Sequence, residues 1–372
     1  MQSRSQPLVS VVIPTLNAGS EFRQLLEAIR AQQVPGDLEI LVIDSHSRDG
    51  TPQLAHQSGA RVISIPRRQF NHGRTRNQAI QAAGGNFVAL TVQDALPCHE
   101  RWLLQLLAPM LEQPKIAGSY GLQVAPPTSG LLSRTRSSLW CDAHALPLLR
   151  SLETPEEYEG VSPEERLELI RFDDVTSCIR RQVWEEFPLP ERNYGEDMAW
   201  AKTVLLSGHK IAYTPEARVW HTHERGPIYE LRRAYIDGYT RVQLVGWPAM
   251  PLRMGDIVAL VRRTMFCLRT KRFDSMVEPE AARRLLLAEM HHYEPLVAHR
   301  PAQIYMRILR FAMGLTNRAA RLCPEGVFPE QAWIDLFRFA TVAIVGQTLG
   351  ATAATTLNQS PPAEEGVWHV LH

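Results

Sequence analysis

The sequence predicts an α/β fold, with a mainly parallel sheet flanked by helices and a C-terminal helical extension. Three observations predict it. Short apolar runs alternate with segments of helical period through the first hundred residues, the pattern of βαβ units. Phe87-Val88-Ala89-Leu90-Thr91-Val92 carries no charge and is apolar at five of its six positions, which suits a strand buried on both faces. Such runs end abruptly in short polar side chains, and in open α/β sheets ligands bind outside the carboxyl ends of the strands.

The elements follow in order. Leu8-Val9-Ser10-Val11-Val12-Ile13 is a β-branched run stopped by Pro14, hence a strand followed by a loop with Thr15 and Asn17. Ser20 is placed to cap the next helix, whose apolar stripe is Phe22, Leu25, Leu26 and Ile29. Leu38 to Ile43 is a second strand, closed by Asp44-Ser45-His46-Ser47-Arg48-Asp49-Gly50-Thr51, and Pro52 suits the first turn of a helix. A third strand runs from Arg61 to Ile65. A His72-Gly73-Arg74-Thr75-Arg76-Asn77 turn and a short Ala-rich helix to Ala83 lead into the fourth strand, which ends in Gln93-Asp94. In a parallel sheet, Thr15, Asn17, Asp44, Ser45, Gln93 and Asp94 gather along one edge. Taken singly, Asp44 and Ser47 are also explained by turn and capping chemistry, and Asp94 by a turn that closes a strand. Neither a Walker lysine motif nor GxGxxG follows the first strand. A phosphate-bearing ligand therefore needs its cation from elsewhere: a metal at Asp94, or Arg74 and Arg76.

Composition narrows the field. The chain has 372 residues, 45% hydrophobic and 21% charged, enough for two domains or one with an extension. A net charge of +1 argues against nucleic-acid binding as the role of the whole chain. The cysteines (Cys98, Cys141, Cys178, Cys267, Cys323) are scattered without a CxxC pair, which argues against zinc and a disulfide framework and fits a reducing compartment. Met1 to Pro7 is polar and runs straight into a strand, so a cytoplasmic protein without a signal peptide is expected.

Past residue 96, a helix is expected over Glu100 to Glu112 and a strand over Ile116 to Val124. Ala125 to Gly160 lacks a period, and a long irregular insertion of this kind is a candidate functional flap or a disordered loop. Ser162-Pro163-Glu164-Glu165 is a capping box. Asp173-Asp174, before a strand from Val175 to Ile179, are either solvated turn acids, the preferred reading, or contacts to a ligand. Asn193-Tyr194-Gly195-Glu196-Asp197 opens a helix with a stripe of Met198, Ala201, Val204 and Leu205. Acids in a first turn complement the helix dipole, which explains Glu196 and Asp197 structurally. A carboxylate at a helix start is equally placed to act as a general base. Lys210 to Thr214 and Arg218 to Trp220 are short strands. In the His221-Thr222-His223 that follows, alternate side chains point the same way and can serve a metal, though such pairs are more often ordinary histidines.

VSVVIPTLN, EILVIDSHSRDGT, RTRNQAIQAAGGNFVALTVQDA and NYGEDMAWAKTVLLSGHKIAYTPEARVWHTH occur in that order. Together they resemble the inverting family-2 glycosyltransferases of the Rossmann-like GT-A fold over residues 8–225, with TVQDA similar to rhamnosyltransferase-like members. The resemblance implies a catalytic domain over 1–225, with Asp197 as general base and Glu196 binding the acceptor or orienting the base. It implies a nucleotide-sugar site at Pro14, Thr15, Asn17, Asp44, Ser45, Arg76, Asn77, Gln93 and Asp94. It further implies a divalent metal (Mg2+ or Mn2+) held by Asp94, with His221 the better-fitting histidine. Thr91 and Gln93 stand where acids are frequent, so Asp94 is left as one carboxylate that diphosphate oxygens and water must supplement. The implied partners are a nucleotide-diphosphate sugar and a glycan or lipid-linked acceptor, in cell-surface polysaccharide synthesis.

Residues 226–372 are expected to form a helical, membrane-proximal extension. Across 231–272, eight Arg and one Lys face two Asp among bulky apolar residues. That is the composition of a membrane-surface helix on the inner membrane face, or of a basic solvated face. Residues 339–357 are uncharged but weakly apolar, and a buried or interfacial helix is preferred to a span. Two other functions answer to parts of the sequence. A nucleotidyltransferase needs a glycine-rich, cation-bearing loop after the first strand, for which Asn17-Ala18-Gly19-Ser20 is too thin. A catalytically silent membrane-associated scaffold is permitted by the depleted metal motif but disfavoured by Glu196-Asp197 and His221.

Overall fold

The computed structural model describes residues 8–126, 128–129, 146–223, 227–248 and 330–357. The chain divides into two compact units, residues 1–126 with 141–222, and residues 127–140 with 223–372.

The first unit is organised by one sheet. Its strands are β1 (Val9–Thr15), β2 (Leu38–Asp44), β3 (Arg61–Ser64), β4 (Phe87–Thr91), β5 (Leu96–Pro97), β6 (Ile116–Val124), β7 (Leu148–Arg150), β8 (Thr176–Arg180) and β9 (Lys210–Trp220). The order is β3-β2-β1-β4-β8-β6-β9-β5, with β7 also paired to β9. β3, β2, β1 and β4 are mutually parallel, as the alternating pattern requires. The other half is mixed: β8 lies antiparallel between β4 and β6, and β6 and β9 are parallel. The two short strands expected at 210–214 and 218–220 are one strand with a bulge. Along their pairing β9 advances from Tyr213 to Arg218 while β6 advances only from Tyr120 to Leu122. Gly121 makes room for it, because a Cβ there would lie 1.9 Å from the Ala217 carbonyl oxygen.

Helices α1 (Phe22–Arg30), α2 (Thr51–Gln57), α3 (His72–Ala82) and α4 (Trp102–Glu112) flank the sheet, followed by α5 (Pro155–Gly160), α6 (Pro163–Leu169), α7 (Arg181–Glu186) and α8 (Glu196–Leu206). The stripe of α1 is buried as expected, with Phe22, Leu26 and Ile29 fully out of water. They join Val11, Ile13, Val42, Trp102 and Leu106 in the main core, and each such side chain contributes about 1.5–3 kcal/mol by burial. The start of α1 differs from expectation: Glu21 takes the N-cap without a side-chain bond, and Ser20 contributes only its carbonyl, accepting from Arg23 N–H at 3.3 Å. The His72–Asn77 turn is helical instead, because Asn71 Oδ1 accepts the Arg74 N–H at 3.0 Å and starts α3 early. The Ser162–Glu165 capping box is present in full.

In the second unit, α9 (Pro227–Val245) and α10 (Glu330–Leu357) pack closely. A Cβ on Gly238 would lie 2.2 Å from the Gln347 carbonyl oxygen, and one on Gly350 1.9 Å from that of Tyr235. Residues 339–357 fall in α10, where Val342, Val345 and Ala351 are buried. Among the described residues no helix is long and apolar enough to cross a membrane. Most of the basic 231–272 stretch, and the centre of the 125–160 flap, lie outside the described residues.

Candidate active site

The edge of the parallel half is built by two interlocked loops. Thr15 Oγ1 donates to Asp44 Oδ1 at 2.9 Å, Ser47 Oγ donates to the same oxygen at 2.5 Å, and Ser47 N–H donates to Oδ2 at 2.9 Å. Asp44 is only 1% exposed. Its carboxylate therefore shapes the edge from within, using up acceptor capacity that a ligand would otherwise meet. Asn17 adopts the left-handed conformation at φ 49°, its N–H donates to Ser47 Oγ, and its Oδ1 accepts from Arg48 N–H. Gln93 fastens the end of β4 to that of β1: Oε1 accepts Leu16 N–H at 2.7 Å and Nε2 donates to Leu16 O at 3.3 Å. Pro14 is half-buried opposite Ile43. Ser45 N–H donates to Thr15 O, and among the described residues its buried Oγ meets no partner. Of the residues expected at this edge, Ser45 is the one with a hydroxyl left over for a ligand.

Asp94 sits just past β4, its side chain 48% exposed, with Oδ1 3.5 Å from Nε2 of His221. His221 is 9% exposed, and its N–H is tied to Val124 O at 2.9 Å where β9 leaves the sheet. Two residues on in the same short segment, His223 adds a third potential ligand, so that one donor atom from each of the three lies within 4.8 Å of the others. A carboxylate oxygen with imidazole nitrogens, part of the set open to water, fits a divalent cation that completes its shell with ligand oxygens. Thr91 is fully buried and donates to Val175 O at 3.0 Å. With Gln93 held by Leu16, the two positions that lack acids serve the frame.

The second focus is an acid cluster around one guanidinium. Gly195, at φ 72°, turns the chain left-handed into α8, so Glu196 and Asp197 form its first turn. From α3, Arg76 Nη1 donates to Glu196 Oε1 at 2.6 Å, and Nε lies 3.3 Å from Asp174 Oδ2 without an aligned hydrogen bond. These three side chains are 3–6% exposed. Arg76, expected at a diphosphate, is thus engaged with buried acids. Asp174 is a correction of the opposite kind: expected as a solvated turn acid, it is buried because Arg76 gives it a partner. Burial pushes its carboxyl up to about 7 against the pull of Arg76, with Glu196 and Asp173 adding to the rise. Burial likewise raises Glu196, opposed first by Arg76. Asp197, half-buried by surface, is raised well above the usual carboxylate range by desolvation and then by Glu196, Asp174 and Asp173.

Helix α3 holds this corner in place. Gly73 N–H donates to Arg192 O at 3.3 Å, and Asn71 Nδ2 donates to Asn193 Oδ1 at 2.7 Å. Asn77, expected at the ligand, is held at both ends of its amide: Oδ1 accepts from Trp184 Nε1 and Leu189 N–H, and Nδ2 donates to Leu189 O. It anchors the approach to α8.

A half-parallel, half-mixed sheet with an oxygen-rich strand edge, a histidine–carboxylate pair and a helix-borne acid pair is the arrangement expected of a GT-A glycosyltransferase. Residues 10–146 match the family model described as Glycosyl transferase family 2. The chain thus carries a family-2 glycosyltransferase domain. It is 29% identical over 234 residues to the O-antigen chain rhamnosyltransferase RfbN of Salmonella typhimurium, covering 62% of this chain and 71% of that one. It is 28% identical over 236 residues to the O-antigen chain rhamnosyltransferase WbaN of Salmonella anatum, with the same coverage. Among solved structures, the mannosyltransferase PcManGT of Pyrobaculum calidifontis, in complex with GDP-Man and Mn2+, superposes with a TM-score of 0.48 at 17% identity, covering 86% of this chain and 88% of that one.

Proposed function

We propose that the enzyme transfers a rhamnose-type sugar, with inversion, from a nucleoside diphosphate to a hydroxyl of a cell-surface glycan or its lipid-linked precursor. The likeness to two O-antigen rhamnosyltransferases supports the sugar and acceptor class. The nucleotide sugar lies along the strand edge formed by Pro14, Thr15, Asn17, Asp44, Ser45, Gln93 and Asp94. Asp94 and His221 hold a divalent cation, which when bound offsets the charge of the departing diphosphate. Asp197 is the general base. The acceptor oxygen forms its bond to the anomeric carbon as the bond to the diphosphate oxygen breaks. The nucleoside diphosphate leaves with the electron pair, and the hydroxyl proton passes to an Asp197 oxygen.

One observation carries the assignment of the base. Asp197 is the acid in the first turn of α8 that Arg76 does not hold by a direct contact, and its environment raises its proton affinity. Glu196 is tied to Arg76 and serves to orient its neighbour. The test is transfer from a panel of nucleotide sugars by wild type and Asp197→Asn. Asp197→Asn should lose about 100- to 10,000-fold in transfer while nucleoside-diphosphate binding by calorimetry stays as in wild type. Transfer at the wild-type rate would overturn the role of Asp197.

A further inference from the structure

His221 faces Asp94 with Nε2, but its other nitrogen is equally engaged. Nδ1 lies 2.6 Å from Oε1 of Gln123 on β6. The amide nitrogen of the same Gln123 donates to Oδ2 of Asp173. Asp173 is itself fixed by its own turn, where Oδ1 accepts Val175 N–H at 3.0 Å and its carbonyl accepts Thr176 N–H at 3.2 Å. The backbone keeps the partners in register, since Gln123 pairs with Val219 and Val124 with Trp220 in the β6–β9 ladder.

The chemistry of these groups permits one arrangement. A carboxylate only accepts, so the end of Gln123 that meets Asp173 is the NH2 group. That leaves the amide oxygen toward His221, and an amide oxygen also only accepts. Nδ1 must then carry the proton, and in the neutral ring Nε2 keeps its lone pair. The free neutral imidazole favours the opposite tautomer, so the environment has to impose this one. We propose that Asp173 and Gln123 form a positioning relay that fixes the amide of Gln123, and through it the tautomer of His221, so that the Nε2 lone pair faces Asp94 where a divalent cation is held.

The cation end of this relay depends on Asp94 and His221 being the ligands, as in the function proposed above, whereas the tautomer can be read without any metal. Ligating histidines commonly donate their second N–H to an oriented acceptor, and loss of that partner costs about 10- to 100-fold in metal affinity. The acceptor here is a side chain whose own orientation is set one step further out.

The experiment uses the full chain with 15N-labelled histidine rings. Long-range 1H–15N correlation in metal-free protein reports the His221 tautomer, and electron paramagnetic resonance of free Mn2+ reports binding of the metal alone. Wild type should show His221 protonated at Nδ1. Gln123→Leu removes the acceptor; it should move the ring toward the Nε2–H form and weaken Mn2+ binding by about 10- to 100-fold. Asp173→Asn lets the amide of Gln123 turn over, and should shift the tautomer in the same direction with β6 untouched, which keeps the relay testable if Gln123→Leu fails to fold. An Nε2–H ring in wild type, or an unchanged tautomer in the variants, would overturn the relay. Wild type with an Nδ1–H ring but without Mn2+ binding would instead overturn the cation site and leave the relay standing.

Discussion

Arg76 Nη1 lies 2.6 Å from Glu196 Oε1, and with 5% and 6% exposure the two side chains are a buried ion pair. The pair joins α3 to α8 across 120 residues of sequence. It also leaves Asp197 as the more open acid of the first turn of α8, since Glu196 is committed to the guanidinium. The same guanidinium approaches Asp174 through Nε, so one cation is shared between two buried acids.

Removing Arg76 therefore strands both acids. Breaking a buried ion pair from one side costs about 3–5 kcal/mol, because the remaining charge stays desolvated. Arg76→Met is expected to lower the urea midpoint accordingly, with the slope unchanged. Arg76→Lys keeps the charge but loses the fork that reaches Glu196 and Asp174 together, and should fall between. A midpoint for Arg76→Met equal to that of wild type would show that the pair contributes nothing net.

Gly73 sits at the start of α3 because its neighbour leaves no room for a side chain. A Cβ there would lie 1.9 Å from the Pro190 carbonyl oxygen and 3.3 Å from Glu191 Cα, in the segment leading to Glu196. Gly73→Ala should cost about 1–3 kcal/mol by overpacking. It should also lower kcat for transfer more than it raises KM for the donor, because the displaced segment carries Asp197 and the strand edge lies elsewhere. Thermal unfolding and steady-state kinetics measure the two effects separately.

Asp174 gives the fold a pH dependence with a definite sign. Its carboxyl is raised from the ordinary 3.8 to about 7, so the folded state holds the proton more tightly than the unfolded chain does. The associated stability is fully present below about pH 4 and is lost as the pH rises toward 7. Glu196 and Asp197 are raised as well and act in the same direction. Asp174→Asn cannot titrate, so its stability should fall less steeply than that of wild type between pH 4 and 7. Denaturant melts at four or five pH values across that window suffice. A steeper fall in the variant would mean that Arg76 controls the protonation of Asp174 more than burial does.

The parallel half of the sheet was legible because its signals are local. The run Val9 to Ile13, the stripe Phe22, Leu25, Leu26 and Ile29, and the polar strand ends can each be read within a short window. The boundary at His72 was missed by a cap: Asn71 sits one residue before the segment that looked like a turn. Position along the edge was legible for Asp44, Gln93 and Asp94, but occupancy was not. That Asp44 is saturated by Thr15 and Ser47, or that Gln93 clasps Leu16, depends on which loop lies opposite. Asp174 and Gln123 were out of reach for a stronger reason. Asp174 is buried by an arginine almost a hundred residues upstream, and Gln123 meets a histidine 98 residues away, so neither contact leaves a mark in the local sequence. The Asp173-Asp174 doublet before β8 was visible as a pair of acids, but only the ion pair to Arg76 separates the buried one from the half-buried one.

The same cluster sets the pH profile of transfer. Asp197 is raised above the usual carboxylate range first by desolvation and then by the charges of Glu196, Asp174 and Asp173. A base works only when deprotonated, so the acid limb of kcat/KM should lie above the pH at which an ordinary aspartate ionises. Because these acids interact strongly, the limb reports the cluster as a whole rather than one residue. Glu196→Gln keeps a side chain of the same shape beside Arg76 but removes the negative charge next to Asp197. Its acid limb should move to lower pH, since Asp197 then gives up its proton more easily. Plateau rates can fall in this variant if Glu196 also orients the base, but the direction of the shift does not depend on that loss. An acid limb that stays in place or moves upward would show that the neighbouring charge is not what raises Asp197, or that Asp197 is not the group whose ionisation limits transfer.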